Sequence, residues 1–275
     1  MSIAYYNGEF CDFSEVRVPL SDRCVFFGDG VYDAAIGRDG AVYLEKEHID
    51  RFFGNAERMK IKLSISKTEL SSLLSKVIKR NGFQQYFLYF QLTRTLNERM
   101  HSYGSESGSS LLITAKPHSF TNHRLKLITA NDIRYSMCDV KTLNLLPAVL
   151  ASKSAEEHGC DEVVFIRDGI VTECAHSNIF IVKDDVVLTH PEGPFILPGV
   201  TRKRVLYICE SLGIKYDERE FKKEDLFAAD DVLVTSTTKL CAKVEKIDGI
   251  NVGKDVSNSV ADAIIGALKE DFESL

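Results

Sequence analysis

The first part of the chain alternates apolar and polar residues on either side of short polar turns. Asn7-Gly8 and Asp39-Gly40 each lie between strand-forming residues, and both dipeptides favour the two-residue turn of a β-hairpin. Apolar residues then recur at helical spacing in HIDRFFGNAERM and in KTELSSLLSKVIKRNG. This pattern predicts a mixed α+β first domain over residues 1–116.

A polar stretch with a proline then interrupts both periodicities. The segment 117–123, PHSFTNH, fits neither a strand nor a helix and is predicted to be an interdomain linker. Beyond it, turns at Asp168-Gly169 and Asp184-Asp185 predict two more hairpins. The second domain, residues 124–275, is therefore predicted to be rich in β-structure.

Composition narrows the class of protein. The 275 residues carry a net charge of -6 with interspersed signs, which argues against a nucleic-acid or anionic-membrane surface. The chain has no run of eighteen apolar residues, and MSIAYYNGEF lacks the features of a signal peptide, so we predict a cytoplasmic location. Seven scattered cysteines without a C-x-x-C pair indicate reduced thiols, and no zinc or other metal site is predicted. A small-molecule site fits this composition better.

Three features together suit pyridoxal phosphate. Lys141 lies in the apolar segment CDVKTLNLL, and a buried lysine can hold the cofactor aldehyde as a Schiff base. Glu173 ends the strand pattern GIVTE, and its carboxylate can keep the pyridine nitrogen protonated. The GVTR run at residues 199–202 begins a predicted helix, where backbone amides can bind a phosphate. Each feature alone has an ordinary explanation, as a surface lysine, an edge carboxylate and a helix N-cap.

Other polar residues could complete such a site. Ser236 and Thr237 at the end of DVLVTSTT offer hydroxyls to the same anion, and Arg51 could supply positive charge, although it could equally be a surface arginine paired with an acid. Arg99 and His101 are two residues apart, so an extended segment would point both the same way, towards a substrate carboxylate. A solvated loop is the alternative.

With these motifs assembled, the chain resembles the fold-type IV pyridoxal-phosphate enzymes over nearly its whole length, and among them the bacterial D-amino-acid aminotransferases. The most specific part runs from Glu173 through Asn178-Ile179-Phe180 and Val187-Leu188-Thr189 to the segment 197–202, LPGVTR. The resemblance implies a smaller N-terminal α/β domain and a larger C-terminal β-rich domain, a pseudo-barrel with flanking helices.

The resemblance also implies roles for individual residues. Lys141 would carry the cofactor, Glu173 would pair with the pyridine nitrogen, and Leu197 would pack against the ring. The phosphate would be bound by one arginine together with residues of the helix start and the hydroxyl-rich strand end: Arg51, Val200, Thr201, Ser236 and Thr237. The implied reaction is a ping-pong transfer of an amino group from D-amino acids such as D-alanine to 2-oxo acids such as 2-oxoglutarate.

Substrate binding is implied for three further residues. Tyr32, in FGDGVYD, with Arg99 and His101, in RMH, would bind the substrate carboxylate. The resemblance further implies that Arg99 and His101 reach into the site of a neighbouring subunit, so that a homodimer would be required. Branched-chain aminotransferases and aminodeoxychorismate lyases share the cofactor motifs but generally not the RMH element.

Several positions depart from the family pattern. Asp33 stands where glutamate is usual, which predicts a longer or missing hydrogen bond there. Thr95 and Glu98 replace glycine and proline before RMH, and the segment 174–177, CAHS, replaces a stretch rich in glycine and serine, so His176 could alter the pH dependence. The alternatives that remain are an L-branched-chain aminotransferase, an aminodeoxychorismate lyase, a non-catalytic carrier of pyridoxal phosphate, and a phosphometabolite-binding module without a Schiff base.

Overall fold

The structure, a computed structural model, describes residues 2–96, 98–104, 107–120, 123–254, 257 and 259–275. The chain forms two compact units. Unit 1 contains residues 1–119, 140–144 and 275, and unit 2 contains residues 120–139 and 145–274. Thr121 and Asn122 of the predicted linker lie outside the described residues. The predicted domain limits remain a prediction.

Unit 1 contains six strands and three α-helices within the described ranges, besides a 3-10 helix at Phe13–Glu15. The strands are β1 (Ile3–Tyr6), β2 (Glu9–Asp12), β3 (Gly30–Arg38), β4 (Ala41–Val42), β5 (Gln85–Thr95) and β6 (Gly108–Pro117), and the helices are α1 (Cys24–Phe27), α2 (Glu45–Arg58) and α3 (Lys67–Asn81). The strands form one antiparallel sheet in the order β2-β1-β6-β5-β3-β4.

Local sequence explains the boundaries of these elements. Asn7 and Asp39 adopt positive φ in the two predicted hairpin turns, each followed by a glycine that also has positive φ. Helix α3 begins with a reciprocal capping box between Ser66 and Glu69. The core of the unit lies between this sheet and helices α2 and α3, where Phe52 and Phe90 pack edge to face with ring centroids 4.9 Å apart.

Unit 2 contains nine strands and four helices within the described ranges. The strands are β7 (Leu125–Asn131), β8 (Glu162–Arg167), β9 (Ile170–Cys174), β10 (Asn178–Lys183), β11 (Val186–Thr189), β12 (Tyr216–Glu218), β13 (Asp231–Ser236), β14 (Leu240–Ile247) and β15 (Ile250–Asn251), and the helices are α4 (Leu146–Glu157), α5 (Val200–Leu212), α6 (Lys223–Ala228) and α7 (Val260–Glu273).

The nine strands of unit 2 form one mixed sheet that curls as a half-barrel. Its main path runs β12-β11-β10-β13-β14-β7-β8-β9, and β15 pairs with β14. Helices α5 and α7 bury Val205, Cys209 and Ile264 in a core cluster with Phe180 of β10. The structure thus has the predicted α+β character. No helix in the described ranges is long and apolar enough to cross a membrane.

Candidate active site

The segment that carries Lys141 is an additional strand-like partner of β3. Strand β4 pairs only with the end of β3, so the backbone groups at residues 30–32 need partners on that side. Tyr32 N donates to Lys141 O at 3.0 Å, and Leu143 N donates to Gly30 O at 3.1 Å. A side chain at Gly30 would place its Cβ 2.6 Å from Leu143 Cδ1, so glycine permits this close approach.

This pairing places the amine of Lys141 over an aromatic ring. Its Nζ lies 4.3 Å from the ring centroid of Tyr32, whose ring stacks on that of Tyr89 at 5.4 Å. Within the described residues of unit 1, the ammonium of Lys141 forms neither a hydrogen bond nor an ion pair. The predicted cofactor lysine and the predicted substrate tyrosine therefore lie together, and none of the described acids of this unit binds the amine.

Arg51 belongs to a buried charge cluster centred on Asp33. Arg51 Nε and Nη2 donate to the two Asp33 oxygens, each at 2.8 Å, and His48 Nδ1 lies 2.8 Å from Asp33 Oδ1. The predicted long or missing hydrogen bond at Asp33 is therefore wrong, since its bonds have ordinary lengths. Aspartate is shorter than the usual glutamate, but His48 and Arg51 reach it from successive turns of helix α2.

Burial and charge act against each other in this cluster. Burial alone would raise the pKa of the Asp33 carboxyl, but the guanidinium of Arg51 and the hydrogen bonds from its partners hold it well below the ordinary value. Burial also lowers the pKa of His48, although Asp33 acts in the opposite direction. The arrangement therefore fits a neutral His48 and an ionised Asp33. A guanidinium has five donors, so Arg51 can contact Asp33 and a phosphate together.

The RMH element lies on an exposed loop whose backbone carbonyls accept hydrogen bonds from an arginine. Arg23 donates to the carbonyls of Met100 and His101, and its Nε lies 2.6 Å from Asp29 Oδ2. The Arg99 guanidinium and the His101 ring both contact the ring of Phe27, at 5.1 and 5.4 Å. Among the described residues of unit 1, neither side chain forms a hydrogen bond or ring contact with Tyr32.

In unit 2, Glu173 accepts hydrogen bonds from Asn178, Leu197 and Arg134. Asn178 Nδ2 donates to Glu173 Oε2 at 2.9 Å, the amide of Leu197 donates to the same oxygen at 3.0 Å, and Arg134 Nη1 donates to Oε1 at 2.5 Å. Glu173 itself is buried. The carboxylate is therefore fixed inward as an acceptor, and Leu197 contributes a backbone bond that the sequence did not indicate.

Asn178 connects the two segments of unit 2 that carry the phosphate candidates. This residue begins β10 opposite Thr235 of β13, which leads directly to Ser236 and Thr237. Its side chain also donates to Leu197 O at 2.9 Å, just before helix α5. A Cβ on Gly199, the N-cap of α5, would lie 2.1 Å from Asn178 Oδ1. Glycine is therefore needed here, and no N-cap side chain bonds to the α5 amides within the described contacts.

The neighbouring CAHS segment is held by another buried acid. Glu162 accepts from His176 N and Ser177 Oγ, each at 3.0 Å, and lies 3.5 Å from Lys239 Nζ. Cys174 is buried as well, and burial raises the pKa of its thiol well above the ordinary value. Cys174 is thus a small buried residue of the core.

Comparison with known proteins decides the family. A family model described as amino-transferase class IV matches residues 30–247. The chain belongs to the class IV aminotransferase family. It is 37% identical to a D-alanine aminotransferase of Bacillus licheniformis over 275 residues, which cover 98% of this chain and 96% of that protein.

Solved structures agree on the fold of this class IV aminotransferase. A branched-chain amino acid aminotransferase of Escherichia coli superposes with a TM-score of 0.90 at 23% identity, covering 98% of this chain and 94% of that one. The T.th. enzyme of the same type, complexed with N-(5'-phosphopyridoxyl)-L-glutamate, gives a TM-score of 0.90 at 22% identity, covering 99% and 97%. The predicted fold class is confirmed. The roles of individual residues stay predictions.

Proposed function

We propose that this protein is a pyridoxal-phosphate-dependent aminotransferase that moves the amino group of D-amino acids such as D-alanine to 2-oxo acids such as 2-oxoglutarate. The observation that carries the proposal is the 37% identity to a D-alanine aminotransferase over 98% of the chain. The geometry adds an amine on Lys141 that forms no ion pair with the described residues of unit 1, and a buried Glu173 held as an acceptor.

The residues present fit the cofactor chemically. Gly199 leaves the α5 N-terminus without a capping side chain, and Ser236 and Thr237 follow the strand paired with Asn178. With Arg51, Val200 and Thr201, these residues would bind the phosphate, while Leu197 would pack against the ring. When bound, pyridoxal phosphate supplies an aldehyde that joins to amines and a protonated ring that withdraws electrons from the substrate Cα.

The protein's own groups would then move the proton. Lys141 would hold the cofactor through its Nζ and would become a free amine once the amino group of the substrate takes its place. Its Nζ takes the Cα proton of the substrate and delivers it to the former aldehyde carbon, so one group acts as base and then as acid. After hydrolysis the donor would leave as a 2-oxo acid, and a second 2-oxo acid would accept the amino group through the reverse proton transfer by Lys141. Glu173 accepts the hydrogen bond of the ring nitrogen throughout.

Substrate binding would use Tyr32, Arg99 and His101, with the last two supplied by a second copy of the chain. The loop that carries RMH is bordered by exposed apolar side chains, among them Phe26 and Met100, at 45% and 49% exposure. Clustered apolar exposure of this kind marks interaction surfaces. It supports a homodimer in which each RMH element enters the partner's site.

Mixed dimers test this arrangement. We expect Arg99→Ala to raise the apparent KM for amino acids, because it removes carboxylate binding. If Arg99 acts in the partner's site, refolding Arg99→Ala with Lys141→Ala produces hybrids with one complete site, so the mixture regains about a quarter of wild-type activity. A mixture no more active than its parents would show that Arg99 serves its own subunit. Refolded wild-type protein is the control.

The proposed reaction is tested by a half-reaction. The purified protein is mixed separately with D-alanine and L-leucine, and the visible absorption of the bound cofactor is followed. Bleaching with D-alanine alone is expected. Bleaching with L-leucine alone would assign the protein to the branched-chain group instead, and no response to either, with cofactor bound, would favour the lyase or the carrier.

The cellular location remains part of the proposal. All seven cysteines are free thiols in the structure. Extracellular proteins usually pair their cysteines, whereas the cytosol keeps them reduced. This supports a cytoplasmic enzyme that acts on small molecules.

A further inference from the structure

The acid that we propose to pair with the ring nitrogen is the last member of a buried chain of alternating charges. Arg167 lies 3.3 Å from Asp132, Asp132 accepts from Arg134, and Arg134 donates to Glu173. The Asp132 side chain is fully buried, and that of Arg134 is 12% exposed. Of these four residues, only Glu173 could be recognised from the sequence.

The Arg134 side chain is fixed by hydrogen bonds and by an aromatic ring. Its Nε and Nη2 donate to the two oxygens of Asp132 at 2.9 and 3.0 Å, and Nη2 also lies 3.1 Å from Phe195 O. Its guanidinium stands over the ring of Phe165, 4.6 Å from the centroid. Because Asp132 fixes the guanidinium through Nε and Nη2, the remaining nitrogen, Nη1, is directed at Glu173 Oε1.

The two oxygens of Glu173 thus have different partners. Oε1 faces the cation of Arg134, while Oε2 accepts from the neutral amides of Asn178 and Leu197. Arg134 also separates two buried carboxylates, Asp132 and Glu173. Without it, burial and mutual repulsion would favour uptake of a proton by one of them. A protonated Glu173 would no longer attract a positively charged ring nitrogen.

We propose that Arg134, held by Asp132, is a positioning residue that keeps Glu173 ionised and oriented as the acceptor for the protonated ring nitrogen of the cofactor. The inference rests on the proposed function. Arg134 acts through Glu173 and touches neither substrate nor cofactor.

Binding to the apoprotein tests this role without turnover. The affinity for pyridoxal phosphate is compared, by calorimetry, with that for the analogue that has carbon in place of the ring nitrogen. Loss of Arg134 should reduce the preference for the nitrogen-containing ligand about tenfold in Arg134→Gln, since couplings between contacting charged residues commonly reach this size. If Arg134 had only a structural role, its loss would reduce the affinity for both ligands equally.

Arg167→Gln is the matched control, because Arg167 also binds Asp132 but forms no hydrogen bond or ion pair with Glu173 among the described residues. It should retain the wild-type preference. In a Glu173→Gln background, Arg134→Gln should change the preference less than about twofold, as expected for residues that act together. Arg134→Met, which also removes the charge but keeps an apolar side chain near Phe165, replaces Arg134→Gln if that variant does not fold. Arg134→Lys keeps the charge and should retain part of the preference.

The outcomes separate the two proposals. Wild-type protein that binds neither ligand would contradict the proposed function itself. If the wild-type protein prefers the nitrogen-containing ligand and Arg134→Gln, or Arg134→Met in its place, shows the same preference, the role of Arg134 alone is overturned. An increased preference in Arg134→Gln would overturn it as well, because the guanidinium would then be competing for Glu173.

Discussion

Replacement of Lys141 by alanine is expected to reduce transamination by at least about a thousandfold, because one amine both holds the cofactor and moves the proton. The fold should survive. Lys141 forms no hydrogen bond or ion pair within the described residues of unit 1, and its contact with the Tyr32 ring contributes only about 0.5–1 kcal/mol. Steady-state assays with D-alanine and urea unfolding measure the two effects.

Lys116→Ala is the matched control for Lys141→Ala. Lys116 Nζ also lies over an aromatic ring of unit 1, 5.1 Å from the centroid of Phe87, but it has no proposed chemical role. Its loss should cost similar stability and leave turnover unchanged. Borohydride reduction of the wild-type protein should fix the cofactor mass on the peptide that contains Lys141. Turnover retained in Lys141→Ala, or the added mass on another lysine, would contradict the assignment.

Replacement of Asp33 by alanine is expected to destabilise the protein by about 3–5 kcal/mol, the usual loss when one partner of a buried ion pair is removed. The Asp33 side chain is 0% exposed, and it binds Arg51 and His48. Its removal leaves the guanidinium of Arg51 without that acid. Urea unfolding of the apoprotein at pH 7 gives the change in free energy.

Asp50→Ala provides the comparison on the surface. Asp50 pairs with Lys46 and Lys67, each at 2.5 Å, but its side chain is 37% exposed. Such pairs contribute about 0–1 kcal/mol. If Asp33→Ala costs no more than Asp50→Ala, the buried cluster does not stabilise the fold as proposed.

The pH dependence of the unfolding free energy tests whether the loss in stability comes from the charge of Asp33. Because the folded protein holds the pKa of Asp33 below its ordinary value of 3.8, the stability from this group is complete above that pH and is lost as the pH falls below it. The pKa of His48 is also lowered from its ordinary value of 6.5 in the folded protein. As the pH falls through 6.5, His48 is therefore protonated in the unfolded chain before it is protonated in the folded one, and the stability declines. Asp33→Asn should therefore lose stability mainly at neutral pH.

Local patterns predicted most of the elements but few of the contacts between distant residues. The turns at Asn7-Gly8 and Asp168-Gly169 were visible because their residue types tolerate the positive φ that both adopt. Helix α5 likewise begins at the predicted GVTR run, with Gly199 as its N-cap. Strand β12 and helix α6, by contrast, are too short to show a clear periodicity.

The candidate site shows the same division. Glu173 and Asn178 are five residues apart, and their hydrogen bond could be anticipated from the turn between them. Arg134 is thirty-nine residues from Glu173, and no local pattern indicates that they meet. The pairing of the Lys141 segment with β3 is also non-local. Such contacts depend on how the sheets assemble, which a single sequence does not encode in any short window.

The position of residues 140–144 in unit 1 has a consequence for biosynthesis. When only residues 1–119 have emerged from the ribosome, unit 1 still lacks Leu275 and residues 140–144. The segment 140–144 is the one that pairs with the edge of β3. Residues 120–139, which belong to unit 2, must be made before that edge can be closed. The nascent N-terminal unit therefore stays incomplete while the other begins to emerge, and the chemistry of Lys141 becomes available only after both have started to form.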